Sequence, residues 1–249
     1  MFDVYSPSEI LFILFVYFFA ASAKGVTGLG FSTTCLAPMA LVLGLKETLP
    51  LLIIPSVSSN IMVMVGAGRF RETCVRFWPM FLATVPGLLL GLWFLAEVDG
   101  ALMGAVLGVV LVIYVAFAYA NPDMRLPARA ERPLQPFSGF LTGLVNGTTG
   151  SQVMPSMPFL MALHLDRNMF IQAINCSFTL SSVIMMAGLA KLGLVTWAAL
   201  AVSVPGVAFA LLGVRFGERI RHRLSPDAFR LAVLAMLAVM GLSLIGRGV

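Results

Sequence analysis

Twenty consecutive residues, Ala101 to Ala120 (ALMGAVLGVVLVIYVAFAYA), carry no charge, no side-chain amide and no proline. A run of that length crosses the roughly 30 Å hydrocarbon core of a bilayer as one helix, which satisfies every backbone polar group within itself. Its apolar residues are continuous rather than alternating over about ten residues, which excludes a transmembrane β-barrel. Comparable runs recur along the chain. Of its 249 residues 59% are hydrophobic and 11% charged, against about 25% charged in soluble domains, and the mean hydropathy is +0.98. The sequence therefore specifies an all-α, polytopic membrane protein.

Its first segment has a small-residue end, Ala21-Ser22-Ala23, but Asp3 and Glu9 precede the apolar core and no Lys or Arg does. That is the wrong sign for a secretory signal, so the segment is expected to be a retained first helix. Cys35, Cys74 and Cys176 lack CxxC spacing, and His164 and His222 form no metal motif. No metal or other cofactor is expected. No GxxxxGK[ST] loop, HExxH or GxSxG motif occurs, so neither ATP hydrolysis nor a catalytic site is read from the residues.

The chain resembles itself. Trp78 and Pro86-Gly87 find counterparts in Trp197 and Pro205-Gly206 at one offset, 119 positions. That register also pairs Glu47 with Asp166, Ser58 with Ser177, Ser56 with Asn175 and Asn60 with Thr179. With a two-residue gap, Gly30 falls on Gly147 and Pro38 on Pro155. This reading divides the chain into an N-terminal repeat (1–120), a linker (121–135) and a C-terminal repeat (136–249), each with about five hydrophobic segments. The second segment of the first repeat (31–45) and the first two of the second (136–147 and 153–163) are too short to span alone, so broken or re-entrant helices are expected there.

Basic residues set the orientation. The links around Arg69–Arg76, Arg125–Arg132 and Arg215–Arg223 are rich in Arg, whereas the N-terminus and Glu97–Asp99 are acidic. Basic loops face the cytoplasm, which places the N-terminus outside and the central linker inside. Five segments per repeat is an odd number, so the repeats should be inverted. The net charge of +5 is thereby explained as a topology signal, without a nucleic-acid partner.

Short Gly- or Pro-interrupted segments at matching places of two inverted repeats are the sequence pointer to a transporter binding site. Gly25–Pro38 and Asn146–Pro155 are those places. Helix N-termini there favour an anion. The candidate ligands are Lys24, Gly28, Gly30, Ser32, Thr33, Thr34, Asn60, Asn146, Thr148, Thr149, Gln152 and Asn175, which offer one cation, hydroxyl and amide donors, and turns of exposed backbone. Alternatives stand beside each. Lys24 could instead end its helix and snorkel, and the hydroxyls could instead glue helices together. Glu47 and Asp166 fit helix-terminal capping better than proton coupling. Gly87 and Gly91 suit either an intersubunit face or internal packing.

The stretches GVTGLGFSTTCLAP (25–38), SGFLTGLVNGTTGSQVMP (138–155) and the closing GVRFGERIRHRLSPDAFRLAVLAMLAVMGL (213–242) resemble the TauE/SafE family of sulfite and organosulfonate exporters. The resemblance extends through both repeats. It implies a secondary transporter that exports a small sulfur oxyanion, sulfite or an organosulfonate, across a bacterial inner membrane. The family turn usually has more consecutive glycines than are found here. A channel of the same fold remains an alternative, as does a non-transporting assembly subunit. The expected partners are the anionic substrate and the lipid bilayer, and a homodimer is left open.

Overall fold

In the computed structural model, residues 5–28, 30–120, 125–220 and 226–248 are described. They form ten helices: α1 Pro7–Thr27, α2 Phe31–Leu43, α3 Leu45–Ala67, α4 Phe70–Glu97, α5 Gly100–Ala120, α6 Ala128–Thr149, α7 Ser156–Ala162, α8 Arg167–Lys191, α9 Trp197–Ile220 and α10 Pro226–Gly248. Six of them, α1, α3, α4, α5, α8 and α9, are long and apolar enough to cross a membrane. Leu11, Val65, Trp78, Trp197 and Val239 point outward, as a bilayer allows and water would not.

Local chemistry sets the helix ends. Ser6 and Glu9 close a reciprocal capping box ahead of α1, with Pro7 in the first turn. Asp166 caps α8 through the N–H groups of Asn168 and Met169, each at 3.1 Å, while Glu47 lies exposed in the first turn of α3. Proline inside a helix leaves a carbonyl without its usual donor. For Pro55 that is the carbonyl of Leu51, and the buried Tyr17 hydroxyl of α1 donates to it at 2.7 Å.

Short helices α2 and α7 match the expected broken segments, with 13 and 7 residues. The expectation that the first segment of the second repeat is also short is corrected: α6 has 22 residues and begins at Ala128, inside the stretch read as linker. Its first turns carry Arg129, Glu131 and Arg132, which lower the hydropathy but extend the helix toward water. The Glu131 carboxylate accepts a bidentate pair from Arg76 of α4, at 2.7 and 2.8 Å, so these turns are anchored.

The helices pair across the two halves. Contacts are most extensive between α4 and α6 and between α1 and α9, followed by α5 with α10 and α3 with α8. Exchanging the first five helices for the last five leaves that pattern intact. Glycines make the closest crossings. A Cβ on Gly139, Gly143 or Gly147 of α6 would overlap the carbonyls of Met80, Thr84 and Leu88 of α4, and one on Gly25 or Gly217 would do the same between α1 and α9. Without a hydrophobic drive between helices in lipid, such small-residue contacts provide the packing. Gly87 and Gly91 likewise lie against α6, which settles their role as internal packing.

The equivalent helices α3 and α8 run antiparallel. Gln172 accepts from the Arg69 backbone N–H at 3.2 Å, the Cys176 thiol meets the Met64 sulfur at 3.5 Å, and Ser182 and Met185 lie opposite Leu49–Ser56. That is the mark of an inverted repeat.

The repeat register, however, differs from the expected one. Helices α1 and α6 both end on a left-handed glycine whose N–H returns to the carbonyl four residues back: Gly28 to Lys24 at 2.6 Å and Gly150 to Asn146 at 2.7 Å. These caps are 122 positions apart (150 − 28), as are the starts of α3 and α8 (167 − 45). Helices α4 and α9 differ by 126 (213 − 87), since Gly87 lies against the Phe140 carbonyl and Gly213 against that of Phe18. The offset of 119 and the pairing of Gly30 with Gly147 are therefore wrong. Trp78, Trp197 and Pro86 are exposed, so no packing contact holds their alignment, whereas caps and glycine crossings are fixed by backbone geometry. In the folded repeat Lys24 corresponds to Asn146, Ser59 to Ser181, and Asn60 to Ser182.

Candidate functional site

Each repeat opens with a long helix, a glycine turn and a short helix. Gly28 and Gly30 take φ of 84° and 89°, and Gly150 takes 76°. These are left-handed conformations that glycine adopts without cost. They stop α1 and α6 and turn the chain sharply, which brings Ser32 and Gln152 inward.

Between the two breaks lies a cavity of about 20 Å³. Ser32 of α2, Ser56 of α3, Asn146 of α6, Gln152 of the second turn and Ser182 of α8 give it a polar wall, and Leu49, Leu52, Ile53 and Met185 give it an apolar one. Ser32 and Ser56 hydroxyls bond each other at 2.7 Å, and Gln152 Nε2 donates to Ser182 Oγ at 3.0 Å. Other polar atoms are left over. Both amide atoms of Asn146, Gln152 Oε1, Ser151 Oγ and Ser181 Oγ are buried without a hydrogen-bond partner. Such groups cost about 1–3 kcal/mol each when unmet, and those of Asn146 and Gln152 belong to the cavity wall. The volume admits about one water molecule.

One helix turn along α3 from Ser56, the Lys24 ammonium donates to Ser59 Oγ at 3.2 Å and to Asn60 Oδ1. Lys24 is 1% exposed, and among the described residues it has no carboxylate within ion-pair distance. Its place in the last turn of α1 puts it where the helix dipole favours a cation. The snorkelling alternative fails, since the ammonium turns inward. In the second half Asn146 stands in its place, and Asn146 lines the cavity whereas Lys24 lies beside it.

The remaining candidates separate clearly. Gly28 and Gly30 shape the first break through their backbone. Thr33 and Thr34 are buried in the first turn of α2 but do not line the cavity. Asn60 holds Lys24 and keeps its own Nδ2 unpartnered. Thr148 and Thr149 give their hydroxyls to carbonyls of their own helix. Asn175 donates to Ile171 at 2.8 Å, also within its helix. Sequence reasoning did not name Ser59, which holds Lys24, Ser181, whose hydroxyl is unmet, or Ser182, which lines the cavity. The signal existed: Ser59-Asn60 and Ser181-Ser182 align once the register is 122 rather than 119.

The family model for the sulfite exporter TauE/SafE matches residues 13–244, nearly the whole chain. The chain belongs to this family. A TauE/SafE member is a membrane transporter for sulfite or a related anion, and the helices described above are those of a multi-pass membrane protein. No curated protein and no solved structure gives a match.

Proposed function

We propose that this TauE/SafE protein is a secondary carrier that exports a small sulfur oxyanion, sulfite or an organosulfonate, bound between the two broken helices. The observation that carries this reading is Lys24, a buried lysine amine with no carboxylate partner among the described residues. Burying an ion costs several kcal/mol unless a counter-charge offsets it, and an intramembrane ionisable group is a functional element by default. A transported anion supplies the missing charge. Asn146, Gln152, Ser32, Ser56 and Ser182 supply donors of the kind that sulfur-bound oxygens accept.

A carrier fits better than a channel because the cavity between the breaks has room for about one water molecule. A sulfite ion has a sulfur and three oxygens, so binding requires the helices around the cavity to move. Orientation follows the charge distribution. Arg69, Arg71, Arg76 and Arg132 converge at one end of the molecule, which supports placing both basic links at the cytoplasmic face of an inner membrane, with the N-terminus outside.

The test is counterflow in proteoliposomes preloaded with sulfite or sulfoacetate. Saturable exchange of labelled anion, abolished in Lys24→Met, is the expected result. Linear, non-saturating flux would indicate a channel, and no flux of either anion would overturn the substrate assignment.

A further inference from the structure

The arginines just noted border a second and larger cavity, about 650 Å³ and open to the surface, between the α3–α4 link, the start of α4 and the first turns of α6. Four guanidiniums, from Arg69, Arg71, Arg76 and Arg132, face two carboxylates, Glu72 and Glu131. Arg69 is paired with Glu72 at 2.6 Å and Arg76 with Glu131 at 2.7 Å. Arg71 and Arg132 have no such partner among the described residues, so the cavity keeps a surplus of positive charge.

Gln135 is also part of its wall. This side chain is fully buried, and neither its amide nitrogen nor its oxygen finds a partner. A buried amide with both ends unmet at the foot of a basic cavity is poised for a polar guest. It also begins a line. Gln135, Ser138, Thr142 and Asn146 recur on one face of α6 at helical spacing, all buried; Thr142 gives its hydroxyl to the Ser138 carbonyl at 2.7 Å, while Ser138 Oγ is unpartnered like the two amides. From Gln135, in the wall of the basic cavity, to Asn146, in the wall of the central one, the helix rises about 16 Å.

We propose that the arginine cavity is the vestibule through which the transported oxyanion reaches the central site, with Arg71 and Arg132 capturing it and Gln135 admitting it to the polar face of α6. This rests on the transport reading above. Guanidinium suits the task because its fork of N–H donors matches oxyanion geometry, and a cavity of one charge sign raises the local concentration of its counter-ion.

The test uses the double variant Arg71→Ala/Arg132→Ala and the single variant Gln135→Leu. Transport is measured in inside-out and right-side-out membrane vesicles, and central binding by calorimetry on the purified proteins. The double variant is expected to raise KM about tenfold at low salt in inside-out vesicles alone, with maximal rate and calorimetric Kd unchanged. The KM difference should shrink above about 0.15 M salt, where the Debye length falls to about 8 Å. Gln135→Leu should lower the maximal rate in both orientations and leave Kd unchanged. An unchanged KM, or an equal change in both vesicle types, overturns the vestibule. So does a KM effect seen in phosphatidylglycerol liposomes and absent in phosphatidylcholine ones, which would assign the cavity to a lipid headgroup. Wild-type protein that binds no anion by calorimetry defeats the transport reading itself, whereas intact binding with unchanged KM defeats this proposal alone.

Discussion

Replacing Lys24 by methionine should separate function from stability. Methionine has a similar length and no charge, so the substitution removes a buried ion without opening a large cavity. Exchanging a buried charge for an apolar side chain of like volume is commonly neutral or stabilising by about 1–4 kcal/mol. Against this, Ser59 and Asn60 lose their donor, which costs about 1 kcal/mol for each bond. The two terms nearly cancel, so unfolding in detergent should shift little. Binding should not survive. An anion about 4 Å from the ammonium gains about 4 kcal/mol at an effective dielectric of 20, which is about three decades of affinity. Calorimetric titration with sulfite and sulfoacetate, paired with thermal unfolding of the same samples, reads both quantities. Affinity within threefold of the wild type refutes the argument. So does a variant that loses binding only because it unfolds, since Lys24 would then be a structural residue.

Three further outcomes are expected. Asn146→Leu removes two unmet amide atoms from the cavity wall and should retain or improve thermal stability while weakening anion binding at least about tenfold, the scale of one hydrogen bond to a charged group; unchanged affinity would remove Asn146 from the site. Tyr17→Phe strands the Leu51 carbonyl opposite Pro55 and should lower unfolding free energy by about 1–3 kcal/mol, read by denaturant titration, with transport intact. Gly143→Ala drives a methyl into the Thr84 carbonyl, while Gly66→Ala meets nothing within 4 Å. The first should therefore lower the midpoint of thermal unfolding and the second should not, and equal midpoints would contradict the α4–α6 contact.

The all-helical membrane class was plain in the sequence because hydropathy acts on whole segments, and Ala101–Ala120 needs no partner to declare itself. The two breaks were legible too, since Gly28, Gly30 and Gly150 interrupt apolar sequence at corresponding places. What escaped was register. Trp78 and Trp197 are conspicuous as letters but face outward, whereas the backbone crossings that fix the alignment involve glycines, which are too common to stand out. That error of three positions paired Asn60 with Thr179 and hid Ser182. The length of α6 escaped for a different reason. Its opening turns are held by an ion pair between Arg76 and Glu131, 55 residues apart, and no local pattern announces such a contact. Threonine hydroxyls likewise gave no sign that Thr148 and Thr149 would spend them on their own helix.

The crossed pairing of α1 with α9 and α4 with α6 has a mechanical consequence. Each half of the chain lends a helix to the other, and the lent helices are notched together backbone to backbone by glycine. Two halves interlaced in this way cannot rock against each other as separate bodies without tearing those notches. A shift that spares those contacts has to carry each mixed pair as one block. The repeat visible along the sequence is thus a unit of inheritance, and the unit of motion is assembled from both copies.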